Sequence, residues 1–110
     1  MGFLWFDPAA LADNFAQDIP VRDAQVLAAV QKPIAARCSI DPAGPPAWRT
    51  LPSWYLVSTQ DNAIPPEAER FMARRANAAT EAVDGSHAAF IAHPDVAAAL
   101  ILKAVAAARG

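Results

Sequence analysis

The sequence contains a single cysteine, Cys38, and has no excess of basic residues. One cysteine excludes an internal disulfide framework and fits a reducing cytoplasm, and we expect Cys38 to be a small buried residue rather than a nucleophile. The formal net charge of −2 excludes the basic surface of a nucleic-acid-binding protein, and no block of like charge indicates a charged tail. We therefore predict no nucleic-acid partner.

Long hydrophobic runs are also missing, although 55% of the residues are apolar. The longest run, Val96–Val105, is interrupted by Lys103 and spans about ten residues, against the ~20 that a membrane span needs. The segment Met1–Phe6 has no basic part and no small-residue cleavage site, so it does not indicate a signal peptide. We therefore predict a cytoplasmic protein that does not bind a membrane.

The 110 residues allow one small domain, which the turn-rich stretch Asp41–Pro46 divides into two parts. The part before this stretch has helical patterns. Asp7 and Pro8 are suited to the N-cap and the first position of a helix that Pro20 ends, with Leu11, Phe15 and Ile19 on its inner face. A second short helix is predicted over residues 23–31, with Val26, Leu27 and Val30 on one side. Residues 33–40 stay ambiguous.

The part after the turn alternates between strands and helices. The continuous run Trp54–Val57 predicts a parallel strand buried on both faces, and Ala78–Val83 predicts a weaker second strand. Helices are predicted to begin at Pro65–Pro66 and at Pro94. Their predicted inner faces contain Ala68, Phe71, Met72 and Arg75 in the first helix, and Val96, Ala97, Leu100, Ile101 and Val105 in the second. The fold class is therefore α/β, with two parallel strands flanked by helices.

Such a unit is physically incomplete. Two parallel strands joined by one crossover helix leave two sheet edges and apolar faces uncovered, and two-stranded sheets are rarely stable alone. The sequence therefore predicts contact with further strands that it does not itself encode.

Two residues suited to acid–base chemistry follow the two predicted strands. Asp61 ends the strand-like run Leu51–Gln60, and His87 follows the second strand. Open α/β sheets place their sites at the carboxyl ends of strands, and adjacent strands lie roughly 4.8 Å apart, so the two side chains can come within hydrogen-bond reach. The alternative is that Asp61 only caps a turn and His87 is a surface loop residue.

Several longer segments share one pattern: the strand and acid loop Pro52–Pro66, the following helix Phe71–Ala76, the histidine loop Gly85–Ala88, the final helix start His93–Val96, and the cap-like segments Phe15–Pro20 and Val30–Ala35. Together they resemble the alpha/beta hydrolases, in the branch of bacterial ester hydrolases and plant hydroxynitrile lyase and methyl-ester esterase relatives. It implies a helical cap over residues 1–41 and a C-terminal βαβα portion of the hydrolase core over residues 42–110.

The same resemblance implies a function for Asp61 and His87. In a catalytic triad the acid orients the histidine, which acts as general base and acid in attack on an ester-like small-molecule substrate. The order acid then histidine agrees with that of the alpha/beta hydrolases. Trp48 is a candidate substrate-binding residue, with simple packing an equal alternative.

The sequence departs from the family in one respect, because it contains no Gly-x-Ser-x-Gly motif for the nucleophile. Its four serines, Ser39, Ser53, Ser58 and Ser86, are all outside such a frame. We therefore expect the C-terminal part of a hydrolase that is inactive alone: a truncated gene product, a fragment of a longer reading frame, or half of a split enzyme.

No cofactor or metal is predicted, since the spacing of His87 and His93 is not usual for metal ligands. The alternative function is a non-catalytic interaction module. In that case the uncovered sheet edge binds a complementing N-terminal half or a second copy of the chain.

Overall fold

The computed structural model describes residues 2–110, which form four short strands and five helices. In chain order these are β1 (Phe3–Leu4), α1 (Pro8–Asn14), α2 (Val21–Val30), β2 (Ile34–Ala35), β3 (Trp54–Ser58), α3 (Pro66–Arg75), β4 (Ala79–Val83), α4 (Ala89–Ala92) and α5 (Pro94–Arg109). Two 3₁₀ turns, Ala36–Ser39 and Ala47–Arg49, lie between β2 and β3.

Helix α1 begins as predicted and ends earlier. The Asp7 side chain caps it by accepting a hydrogen bond from the Ala9 N–H at 2.9 Å, and Pro8 is the first helical residue. The helix ends at Asn14 rather than near Pro20. Local periodicity is overridden here because the chain leaves the helix to contact the loop after β4, where the Ala88 N–H donates to the Phe15 carbonyl at 3.0 Å.

The predicted inner face of helix α2 is confirmed only at Leu27, which packs against the core. Ala24 and Ala28 are buried in a cluster with Leu11, whereas Val26 and Val30 are 54% and 64% exposed. Small residues at this contact permit α1 and α2 to approach closely, so residue size rather than hydrophobicity decides which face packs. The ambiguous region beyond α2 is not a continued helix, because Ile34–Ala35 pairs antiparallel with Phe3–Leu4.

The second sheet has the predicted parallel pair. Strand β3 pairs with β4 in the register Trp54↔Ala79 to Ser58↔Val83, with α3 as the crossover between them. This confirms the α/β fold class, with parallel strands flanked by helices. At one end of the ladder the Ala79 N–H donates to the Ser53 carbonyl, and at the other end the Thr59 N–H donates to the Val83 carbonyl. The odd-numbered residues of the β3 segment therefore bond to β4. Its even-numbered residues therefore direct their backbone groups to the opposite edge.

The two later helices also bury fewer apolar residues than predicted. In α3 the buried residues are Glu69 and Ala73, whereas Phe71 is 57% exposed. In α5 only Leu100 is buried, and Ile101 is 62% exposed. A two-stranded sheet offers each helix a narrow contact, so most of each predicted apolar face has no partner in residues 2–110.

Two smaller observations complete the fold. Cys38 is exposed in the turn Ala36–Ser39, so the prediction that it is buried is wrong; the short turn packs no layer over it. Across the part of the chain that the structure describes, every helix is too short or too polar to cross a membrane.

Candidate active site

Asp61 lies in the loop directly after β3 and is 5% exposed. Its Oδ1 accepts hydrogen bonds from the Ala63 N–H at 2.7 Å and the Ile64 N–H at 2.8 Å. These bonds close a turn just before Pro65, the N-cap of α3. One oxygen of the carboxylate is thus fixed by its own loop, and the other is left to bind a different partner.

That partner is His87, in the loop after β4. Its Nδ1 lies 2.7 Å from Asp61 Oδ2. Because an ionised carboxylate only accepts hydrogen bonds, Nδ1 carries the proton and Nε2 presents a lone pair. Nε2 has no hydrogen-bond partner in residues 2–110, and the side chain is 31% exposed. The structure therefore brings together the two residues singled out in the sequence.

The charge on Asp61 is set by opposing effects. Burial raises its pKa, but hydrogen bonds from Ile64, His87 and Ala63 and the neighbouring Glu69 carboxyl lower it, and together they hold the pKa below its ordinary value. Asp61 is consequently ionised at neutral pH and available to the imidazole N–H.

Phe15 packs against the imidazole. The rings of Phe15 and His87 lie 4.7 Å apart between centroids, with 48° between their planes. Phe6 contacts Phe15 edge-on at 5.3 Å. The N-terminal part of the chain thus provides one wall beside the histidine.

The histidine loop is anchored by a residue that the sequence analysis did not identify, Asp18. Its Oδ2 accepts from the Ser86 N–H at 2.7 Å, and its Oδ1 accepts from the Ser86 hydroxyl. Burial raises the pKa of Asp18, but the bonds from Ser86 outweigh burial and lower it. A side chain at Gly85 would crowd this anchor, because its Cβ would stand 3.0 Å from both Asp18 Oδ2 and Ala89 Cβ, and these neighbours would have to shift slightly. Asp18 and Ser86 are 68 positions apart, so the local sequence gives no signal of this contact.

A second residue missed in the sequence is Glu69, which is 4% exposed. Its Oε2 accepts from the Ser58 N–H at 3.0 Å. Burial raises its pKa to about 7, and the neighbouring Asp61 carboxyl adds to the shift. Nothing in the local sequence distinguishes Glu69 from the exposed Glu67 one half-turn earlier.

None of the four serines is placed as a nucleophile for His87. Ser86 is fully buried and hydrogen-bonded to Asp18, and the Ser53 hydroxyl donates to the Leu51 carbonyl. Ser58 is buried at the end of β3, and no hydrogen bond joins it or any other serine of residues 2–110 to His87.

One cavity has both members of the pair in its wall, and a larger one has Phe15 in its wall instead. One of about 280 Å³ is lined by Asp61, His87, Tyr55 and Glu69, among others. A larger one of about 620 Å³ is almost wholly apolar, with Phe15 in its wall together with Trp5, Phe6, Leu11, Leu27 and Phe90. The wall of the larger cavity contains neither Asp61 nor His87, and Phe15, which contacts the imidazole, is the residue that connects this cavity to the pair.

Trp48 lies elsewhere. Its ring is covered by the guanidinium of Arg75 at 5.5 Å and lies 5.7 Å from that of Arg49. The cavity of about 360 Å³ beside it contains neither Asp61 nor His87. The structure does not bring Trp48 together with the pair, and its role in substrate binding stays a prediction.

Within residues 2–110 no group of three or more histidine, cysteine or acidic side chains is arranged to hold a metal ion. The pair Asp61–His87 can orient and transfer a proton without such an ion.

Comparison with known proteins gives one match. A family model described as the Alpha/beta hydrolase family matches residues 1–100. No curated protein and no solved structure matches the chain.

Proposed function

Because the chain belongs to the alpha/beta hydrolase family, we propose that Asp61 and His87 are the acid and the histidine of a catalytic triad. The observation that carries this proposal is the 2.7 Å bond between His87 Nδ1 and Asp61 Oδ2. It leaves Nε2 of the neutral imidazole free to take a proton from a nucleophile. Asp61 maintains this tautomer and stabilises the imidazolium that forms.

The nucleophile is a serine supplied from outside these 110 residues, since none of the four serines in the chain hydrogen-bonds to His87. His87 Nε2 removes the proton from that hydroxyl as its oxygen attacks the acyl carbon. The proton then passes to the departing alcohol, and water releases the acid by the reverse sequence. The chain alone is inactive in this proposal, whether its partner segment belongs to the same polypeptide or to another.

The substrate class follows from the larger cavity. Its wall is apolar and includes Phe15, which also contacts the imidazole. A volume of about 620 Å³ is within the usual range for small-molecule sites. We infer an ester with an apolar acyl or alcohol group, over which the segment 1–41 acts as the cap.

The test is hydrolysis of p-nitrophenyl esters by the chain alone and by the chain joined to a hydrolase N-terminal half that contains Gly-x-Ser-x-Gly. We expect no turnover by the chain alone, and turnover by the joined protein that His87→Ala abolishes. A joined protein that keeps its activity with His87→Ala would contradict the assignment. Turnover by the chain alone that His87→Ala removes would show that the nucleophile is not missing.

A second candidate function is partner binding without catalysis. The observation that favours it is the apolar surface of α5, where Ile101 and Leu102 are 62% and 67% exposed. The partner is a complementing N-terminal half or a second copy of the chain. Sedimentation equilibrium distinguishes these: a dimer that Leu102→Lys dissociates supports the second copy, and a monomer at all concentrations excludes it.

A further inference from the structure

Glu69 is a buried carboxyl group that the catalytic scheme does not use. It lies in α3, is 4% exposed and lines the same cavity of about 280 Å³ as Asp61 and His87. One oxygen, Oε2, accepts from the Ser58 N–H at 3.0 Å. The other, Oε1, is buried with no hydrogen-bond donor among residues 2–110. An ionised glutamate in this position would leave that oxygen without a partner.

The backbone of Ser58 links Glu69 to the acid loop. Ser58 is the last residue of β3, and its N–H points away from β4 and is bound by Glu69. Its carbonyl accepts from the Asp61 N–H at 3.3 Å. Glu69 thus holds the residue from which the Asp61 loop departs, three positions before Asp61 itself.

The two carboxyl groups line the same cavity, and the neighbouring Asp61 charge helps to raise the pKa of Glu69. Two carboxylates cannot hydrogen-bond to each other unless one of them carries a proton. Asp61 accepts from three donors, Ala63, Ile64 and His87, whereas Glu69 accepts only from Ser58. Hydrogen bonds therefore stabilise a negative charge on Asp61 more than one on Glu69, so a proton shared between the two carboxyl groups is bound to Glu69.

We propose that Glu69 is a positioning residue for the Asp61–His87 pair, with a neutral carboxyl whose Oε1–H donates to Asp61 while Oε2 holds the Ser58 N–H. Burial and the Asp61 charge raise the pKa of Glu69 to about 7, in agreement with this geometry. The catalytic consequence rests on the proposed function, because orienting Asp61 matters to the reaction only if the pair is catalytic.

The titratable groups that face Glu69 come from three elements. Asp61 faces it from the loop after β3, His87 from the loop after β4, and Tyr55 from β3 itself. Burial raises the pKa of Tyr55, and the charges of Glu69 and Asp61 raise it further, so Tyr55 stays a neutral phenol. Ionisation of Glu69 would place a second negative charge beside Asp61 and remove one of its donors.

The experiment uses NMR on the isotopically labelled chain, with the ¹⁵N shifts of the His87 ring as the readout of its tautomer. Glu69→Gln is the decisive variant, because the amide oxygen can accept from Ser58 and the amide nitrogen can donate to Asp61. We expect Glu69→Gln to keep His87 in the Nδ1–H form, and Glu69→Ala to give a mixture of both tautomers. Glu67→Gln, an exposed neighbour on the same helix, is the matched control and should change nothing.

A second measurement stands even if Glu69→Ala fails to fold. The ¹³C shift of the Glu69 carboxyl in the unmodified chain should titrate with a midpoint near 7. A midpoint near the ordinary 4.5 overturns the proposal, as does loss of the Nδ1–H form in Glu69→Gln. Asp61→Asn separates the two hypotheses: if it leaves the His87 tautomer unchanged, the pair itself and the proposed function fail, whatever Glu69 does.

Discussion

The loops after β3 and β4 differ sharply from the outer surfaces of the helices beside them. In the loops, Asp61 and Ser86 are buried and their polar groups are bonded to named partners. On the surface, Phe71 and Ile101 are large apolar residues that are 57% and 62% exposed. The chain therefore contains the hydrogen-bond partners that fix the loops of the candidate site, but it lacks the packing partners that would cover the apolar surfaces around the sheet. The following predictions, from the largest expected effect to the smallest, test that contrast.

The largest effect is expected on the reaction. In a joined protein with a serine nucleophile, His87→Ala should lower kcat by about six orders of magnitude, since loss of one triad member disables the whole unit. Asp61→Asn should lower kcat by roughly four orders, because the imidazole then loses its fixed tautomer. Ester hydrolysis under saturating substrate checks both. His93→Ala, at a histidine outside the pair, is the control and should retain activity.

The next effect is a pH dependence of stability. The pKa of Glu69 is about 7 in the folded chain against an ordinary 4.5. Between these values the folded chain keeps a proton that the unfolded chain releases, so this group's stabilising contribution is full below about pH 4.5 and is lost as the pH rises through 7. The loss is on the order of 3 kcal/mol.

Urea denaturation at a series of pH values tests this dependence. Glu69→Gln should flatten the profile between pH 4.5 and 7 relative to the unmodified chain. Equal slopes for the two proteins in that window would contradict a raised pKa for Glu69, and Glu67→Gln should keep the slope of the unmodified chain.

A smaller effect is expected at the anchor of the histidine loop. Ser86→Ala removes the hydroxyl that donates to Asp18 and leaves the carboxylate with one donor fewer. Hydrogen bonds to charged groups contribute about 1.5–3 kcal/mol, so the free energy of unfolding should fall by about 2 kcal/mol. Ser53→Ala is the matched control, because the Ser53 hydroxyl makes one long bond of 3.4 Å at an exposed site. Equal losses for the two variants would refute a special role for the anchor.

The smallest effect is expected at the uncovered surface. Leu102 is 67% exposed, and Leu102→Ser should change the free energy of unfolding of the chain by less than about 0.5 kcal/mol. Leu100→Ala, in the same helix but buried, should cost about 2–5 kcal/mol. Thermal unfolding of both variants tests this difference in the free energy of unfolding. A large loss for Leu102→Ser would mean that the surface is already covered in solution, by a second copy of the chain.

The part of the fold that could be predicted from sequence is the part decided locally. The N-cap at Asp7, the continuous apolar strand Trp54–Ser58 and the helix begun by Pro66 all formed near their predicted positions. Asp61 and His87 could be placed together because adjacent parallel strands end side by side. Their bond follows from topology and needs no long-range information beyond that pairing.

The rest depended on contacts between distant residues. Asp18 meets Ser86 across 68 positions, and Glu69 meets the backbone of Ser58 across 11, so neither has a local pattern. The end of α1 was wrong because the chain turns away to reach Ala88. The predicted inner face of α3 was wrong, and that of α5 was right at Leu100 but not at Ile101, because hydrophobicity assigns a face only where something is present to cover it.

The bond between Glu69 and Ser58 also limits how a neighbouring strand could join β3. On the edge away from β4, the Ser58 N–H is taken by Glu69 and its carbonyl by the Asp61 N–H. Trp54 and Leu56 are the strand residues there whose backbone groups are not bound in this way. The hydrogen bonds between β3 and an added strand would therefore end at Leu56. If that strand were shifted by two residues toward Ser58, the Ser58 N–H, which Glu69 already binds, could not donate to it. A glutamate side chain thus defines the alignment that assembly on this edge can adopt.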